Sequence, residues 1–150
     1  ANSIEKRIKS QIKRITPKNV LNTSDNDFRL MGLSFRKVQY IKGVANLIIK
    51  NRNFFSGLSK MNDDDAIAAL STLYGIGPWS AEMFLIFQYN RQNILPLGDI
   101  GLINSFCINY KINKKNFLKI IPRYKKIWEP YCTVATWYLW RDIDEDIVQY

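Results

Sequence analysis

The sequence predicts an all-α protein, and three observations carry that reading. Apolar residues recur at intervals of three and four along most of the chain, as in Ile4, Ile8, Ile12 and Ile15. Small polar caps and prolines stand where helices would open, and glycines where they would close. No stretch shows the strict apolar–polar alternation of a half-buried strand. Internal repeats and low-complexity segments are absent, and the 150 residues are read as one helical domain.

Taken in order, the four isoleucines place a first, basic helix before Pro17, whose ring ends it. Thr16 then caps a short turn of helix, "TPKNVLN", with Pro17 at the first helical position. Ser24 caps a brief helix through Met31, and Gly32 stops it in the C′ position. Ser34 caps the next, where Val38, Ile41, Ala45 and Ile48 keep helical spacing. "NRNFFSGLSKMN" reads as a loop with an apolar staple. Asn62 followed by Asp63, Asp64 and Asp65 is a strong helix start, because the acids complement the N-terminal dipole. That helix carries Ile67, Leu70 and Leu73 and is expected to end at Gly75. Pro78 opens another to about Phe87, "YNRQNILPLGD" is irregular, and a helix starts after Asp99. Two shorter helices are expected over 113–121 and 122–128, and Pro130 opens the last, "YCTVATWYLWRD".

Composition narrows the chemistry. Apolar residues make up 47% and charged residues 23%, values of an ordinary folded domain. No apolar run approaches the roughly 20 residues of a membrane span, and no N-terminal stretch is laid out as a signal peptide. The expectation is a cytoplasmic protein, nucleoid-associated or nuclear, with no membrane partner. Histidine is absent, which excludes His-dependent nucleases and Ser-His-Asp triads. Cys107 and Cys132 are too few for a structural zinc or a four-cysteine iron–sulfur cluster, and both read as buried thiols. No metal site is expected.

Net charge is +9 and the isoelectric point near 9.6, a balance suited to a polyanion such as nucleic acid. Carboxylates cluster at 63–65 and 142–146, while Glu82 and Asp99 are the only acids between Ala66 and Trp128. An isolated acid in a basic phosphate-facing region is electrostatically unfavourable, so Asp99 calls for a function. Its local alternative is a plain N-cap.

The break "LYGIGPWSAEM" at 73–83 interrupts the helical pattern with Gly-Ile-Gly. Helix, short Gly-x-Gly turn and helix make a helix–hairpin–helix. Glycine permits positive φ and close backbone approach, so hairpin amides can meet a phosphate oxygen, and the helix opening at Pro78 adds its dipole. Contacts of this kind fix register on a nucleic-acid backbone without reading sequence. The bland alternative is an αα-hairpin whose glycines only tighten the turn.

The stretches "GLSFRKVQYIKGVA", "LYGIGPWSAEMFLIF", "LPLGDIGL" and "WEPYCTVATWYLWR" together resemble the helix–hairpin–helix DNA glycosylase superfamily, in its 3-methyladenine DNA glycosylase II branch. The resemblance spans about residues 1–141. It implies an all-α fold and a hairpin that grips damaged double-stranded DNA through Gly75, Ile76, Gly77 and Ser80. It places the catalytic aspartate at Asp99. Bifunctional members carry a lysine just after the hairpin, whose amine forms a Schiff base. Here that position is Trp79, which implies a monofunctional hydrolase that leaves an abasic site. Trp79, Tyr131, Met83 and Ile100 are the implied base-pocket residues, since electron-rich rings attract cationic alkylated purines. Trp137 and Trp140, at helical spacing in an apolar helix, are read as core. No cofactor is required, and a monovalent cation at the hairpin is the one ion admitted.

The sequence departs from the resembled pattern in two places. Relatives begin with further helices, so the chain is expected to be N-terminally truncated, with the missing segment on the same or another chain. The position in "PYCTVA" that is often arginine in relatives is Cys132. A non-catalytic helix–hairpin–helix DNA-binding module is the main alternative, and a helical protein–protein adaptor a weaker one.

Overall fold

A computed structural model describes residues 2–143 and contains ten α-helices and one 3₁₀ turn among them, with no strand. The acidic run 142–146 extends beyond the described residues at its last three positions. The chain divides into two compact units, 1–62 with 68–76 and 63–67 with 77–150.

The first unit holds α1 (Asn2–Gln11), α2 (Pro17–Asn22), α3 (Asp25–Leu30), α4 (Phe35–Lys50) and α5 (Phe54–Leu58). Thr16, Ser24 and Ser34 each accept a backbone N–H from the third residue on, the capping bonds anticipated. Gly32 sits at φ +104°, with Leu33 N–H donating to Phe28 O and Gly32 N–H to Arg29 O. That pair of bonds is the Schellman closure of a helix. The core here is Ile12, Val20, Phe28, Met31, Val38 and Ala45. Two expectations fail in this unit. Helix α1 ends at Gln11, so Ile15 lies outside it and is exposed. Residues 54–58 form a helical turn rather than loop, because fully buried Leu58 anchors it.

Helix α6 (Asp63–Ser71) begins at the aspartate run but stops four residues before Gly75. Residues 73–76 then form a β-turn, closed by Ile76 N–H donating to Leu73 O at 2.9 Å. Gly75 occupies its third position at φ +88°, where a side chain is strained.

The second unit contains α7 (Pro78–Tyr89), α8 (Ile100–Asn109), α9 (Phe117–Trp128) and α10 (Cys132–Ile143), with a 3₁₀ turn at Lys114–Asn116. Helix α10 packs on α8. Leu95, Leu102, Phe106, Cys107, Phe117, Ile121, Cys132 and Leu139 form its core, so both cysteines are buried thiols. Instead of two short helices, α9 runs unbroken through Pro122. Phe117, Ile121, Tyr124 and Trp128 line its inner face. Burying such a stripe is worth about 6–12 kcal/mol, against a proline cost of roughly 3 kcal/mol. The last helix opens at Cys132, two residues after Pro130.

Candidate active site

Asp99 is delivered by two anchors within the second unit. Thr133, in the first turn of α10, holds the irregular segment before it. Its hydroxyl accepts from Ile94 N–H at 3.0 Å and donates to Arg91 O at 2.8 Å. Arg91 is tied in turn to Asp63 at 3.1 Å. The chain then turns through 96–99, closed by Asp99 N–H to Pro96 O, and enters α8.

Asp99 is the N-cap of α8, its Oδ1 accepting Leu102 N–H at 2.7 Å. The cap is not its whole environment. Trp140 Nε1 donates to Oδ1 at 2.8 Å and Trp79 Nε1 donates to Oδ2 at 2.8 Å. Burial, at 9% exposure, pushes this carboxyl upward. The Leu102 amide, the two indoles and the Gly101 amide together outweigh burial and hold it below the ordinary carboxylate range. Every one of these donors is neutral, and among the described residues no lysine or arginine pairs with Asp99. The result is an ionised carboxylate fixed in place whose charge is not cancelled by a counter-ion.

Glu82 is the second carboxyl of this region. Burial first, and the charge of Asp99 second, push it up to about 7. At neutral pH it is divided between its two protonation states, whereas Asp99 is charged.

The expected pocket residues are distributed unevenly. Trp79 is 50% exposed, so its N–H edge serves Asp99 while much of the ring stays open. Met83 follows one turn along the same face of α7 and is half-buried. Ile100, adjacent to Asp99, is 73% exposed. Tyr131 stands elsewhere: it lines a concavity of about 370 Å³ with Tyr110, Trp128, Val134 and Tyr138. Val134 and Tyr138 project from the side of α10 turned away from Trp140, by helical spacing.

In the hairpin, Gly75 and Gly77 differ. A Cβ on Gly75 would lie 2.2 Å from Cγ of Tyr40, so this glycine is required by close packing and by its φ. Gly77 is the N-cap of α7 at φ −91°, and a Cβ there would meet nothing within 4 Å. Ile76 and Ser80 are half-buried.

A model of the HhH-GPD superfamily of base excision DNA repair proteins matches residues 1–130. The chain belongs to this family. DNA-3-methyladenine glycosylase 1 of Schizosaccharomyces pombe is 31% identical over 127 residues, covering 78% of this chain and 53% of that protein. Two solved structures are similar. The S. pombe 3-methyladenine DNA glycosylase Mag1, in complex with abasic DNA, has a TM-score of 0.79 and 28% identity over 93% of this chain and 70% of that one. A DNA-3-methyladenine glycosidase from Bacillus halodurans has a TM-score of 0.81 and 31% identity over 96% and 67%. The chain spans about half the length of the curated relatives it matches.

Two residues of this HhH-GPD chain escaped the sequence reading. Trp140 was expected in the core, but its indole binds Asp99 while its ring stacks on Phe87, 6.0 Å between centroids and 9° from parallel. A buried indole N–H needs an acceptor, and Glu82 and Asp99 are the only acids between Ala66 and Trp128, which was the available signal. Gly101 was the other. A Cβ there would lie 3.1 Å from Asp99 Oδ1 and 3.4 Å from Trp140 Cδ1, so any side chain crowds the carboxylate. Its trace in the sequence is a glycine in the first turn of a helix, where propensity opposes it.

Proposed function

We propose that this chain carries the base-removing centre of a monofunctional DNA glycosylase, which hydrolyses the N-glycosidic bond of alkylated purines such as 3-methyladenine and 7-methylguanine and leaves an abasic site. The observation that carries the reading is Asp99, buried and held ionised by neutral donors, with no cation paired to it among the described residues. An N-alkylated purine already bears positive charge. Its C1′–N bond breaks with the electron pair passing to the base, which departs neutral, and positive charge develops on the deoxyribose. Water then adds at C1′ and its proton passes to solvent. A carboxylate about 4 Å from the developing cation, at an effective dielectric near 20, lowers the barrier by about 4 kcal/mol, roughly a thousandfold in rate. The depressed pKa of Asp99 suits this electrostatic role better than proton abstraction.

Trp79, Met83 and Ile100 form the wall beside Asp99, and the open face of Trp79 contributes about 0.5–2 kcal/mol to holding a cationic base. Tyr131 belongs to the reading as a further stacking ring from the neighbouring concavity. Gly75, Gly77 and Ser80, with the α7 N-terminus, offer backbone amides to a phosphate of damaged duplex DNA, and Ile76, whose own N–H closes the turn onto Leu73 O, shapes the turn between them. The chemistry needs no cofactor, and a monovalent cation at the hairpin fits the same reading. Action on DNA places the protein in the cytoplasm or nucleus; no helix of the described residues is long and apolar enough to cross a membrane.

The test is release of radiolabelled methylpurines from alkylated duplex DNA. Asp99→Asn should lower the single-turnover rate about a thousandfold with duplex binding retained. Absence of release by the native-length protein, with binding intact, would leave only a DNA-binding module. Borohydride should trap no covalent adduct, because Trp79 offers no amine; a trapped adduct would refute the monofunctional assignment.

A further inference from the structure

We infer that the outer face of α9 is a second nucleic-acid backbone contact, separate from the hairpin. Seven of the nine cations between Gly77 and Tyr150 fall within residues 111–126, a stretch that holds no carboxylate. All seven are exposed, and among the described residues none is ion-paired. On α9 itself Lys119, Arg123 and Lys126 recur at i, i+4 and i+7. They share one face, opposite the stripe of Phe117, Ile121 and Trp128 that packs into the core.

Such a face has a cost in the free protein. Like charges three and four residues apart destabilise a helix by about 0.2–0.5 kcal/mol per pair, and an ordinary solvated face mixes signs, as Glu5 and Lys9 do on α1. A polyanion turns the cost into a gain. Lys119 to Lys126 spans about 10 Å of helix axis at 1.5 Å per residue. Duplex DNA presents a phosphate about every 3.4 Å per strand along its axis, so three cations face about three phosphates. Lys115, on the preceding 3₁₀ turn, extends the row.

The partner is nucleic acid rather than an anionic membrane: the apolar stripe of α9 is buried in the protein core, and the exposed Leu118 and Ile127 lie on opposite sides of the helix, so they form no single face that could insert. Asp99 and this ridge belong to one unit, at opposite ends of α8: Asp99 caps its start, and α9 packs against Phe106 and Tyr110 at its end, about 10–16 Å along the axis. The ridge therefore meets phosphates several base pairs from the target nucleotide. The inference rests on the proposed function only in taking duplex DNA as the partner.

The experiment measures binding to lesion-free duplex, with no base released, so its outcome is independent of whether the chain cleaves. Lys119→Gln, Arg123→Gln and Lys126→Gln are combined, and log Kd is followed against log salt. The slope should fall by about 2–3, at roughly 0.9 per phosphate contact, with affinity at 0.1 M salt reduced at least about tenfold. Lys119→Arg with Lys126→Arg should keep the slope. An unchanged slope in the Gln variant overturns the inference. So does an equal loss in the Arg variant, which would make the effect structural. Loss of binding to phosphatidylglycerol vesicles with the duplex slope unchanged would assign the face to membranes instead.

Discussion

Trp140→Phe isolates the hold on Asp99 from the packing around it. The substitution deletes the indole N–H that donates to Oδ1 at 2.8 Å, while a phenyl ring retains the stack on Phe87. A hydrogen bond to a charged group is worth about 1.5–3 kcal/mol. Asp99 is held below its unfolded value, so the bond stabilises the fold above pH 3.8 and the gain disappears as pH falls through the folded pKa. The variant should therefore be less stable than the parent at pH 7, and the difference should shrink as pH falls through the folded pKa of Asp99. Catalysis should respond in two ways. If the freed carboxylate recedes by about 1 Å, its interaction with a cation at 4 Å drops from about 4.2 to about 3.3 kcal/mol, about a fourfold loss in rate. The acid limb of the rate profile should also move toward neutral pH. Single-turnover release of 7-methylguanine between pH 4 and 8, with urea unfolding at pH 7, reads both. A destabilised variant whose acid limb stays in place would reduce Trp140 to packing and refute the assignment.

Other perturbations test neighbouring parts of the site. Glu82 has its pKa raised from 4.5 to about 7, so folded protein keeps a proton that unfolded chain loses, and stability falls as pH rises across that window. Glu82→Gln should match the parent at pH 4 and exceed it at pH 8 by about 1–2 kcal/mol, after discounting for partial solvent access; equal urea midpoints at both pH values would contradict this. Gly75→Ala should destabilise by about 2 kcal/mol or more, from a left-handed φ and overlap with Tyr40. Gly77→Ala should leave stability unchanged and weaken duplex binding several-fold; the reverse pattern would dissociate the hairpin from DNA contact. Trp79→Phe should slow base release more than Tyr131→Phe, since Trp79 touches Asp99 and Tyr131 lines another concavity. An equal or opposite ranking would relocate the pocket.

Local chemistry explains which parts of this molecule could be read in advance. Thr16, Ser24, Ser34 and Gly32 act within a few residues of themselves, so their caps were legible. The continuity of α9 was not, because the decision lies with the core that receives Phe117, Ile121 and Trp128, against a local penalty at Pro122. The same division runs through the site. Asp99 as a helix start is a property of "GDIG"; Asp99 as the acceptor of two indoles 20 and 41 residues away is a property of how α7, α8 and α10 meet. Trp79 was placed in the pocket from its position after the hairpin, and its second duty toward the carboxylate depended on that meeting. Tyr131 shows the converse: a ring within "WEPYCTVATWYLWR" lines a concavity with Tyr110, Trp128, Val134 and Tyr138, a grouping that only the meeting of α8, α9 and α10 sets.

The charge distribution changes meaning when it is placed on these elements. In the sequence Asp99 stands as an acid amid many cations. Within this unit Arg91 is the only cation between Gly77 and Tyr110, and it is committed to Asp63; seven more follow α8 at 111–126, and Arg141, next to Trp140 on α10, is exposed. This separation has a physical consequence. A lysine beside Asp99 would also have kept it ionised, but its positive field would have opposed the cation that the proposed hydrolysis develops on the sugar. Indole and amide N–H dipoles stabilise the carboxylate over a short range, and their fields fall off faster with distance than that of a full charge. The negative potential therefore survives around Asp99, where the proposed reaction places its carbon. If the proposed reaction and the α9 contact both hold, keeping the acid with tryptophans and a helix start, and the lysines apart from it, lets one unit of the chain serve two opposite electrostatic tasks.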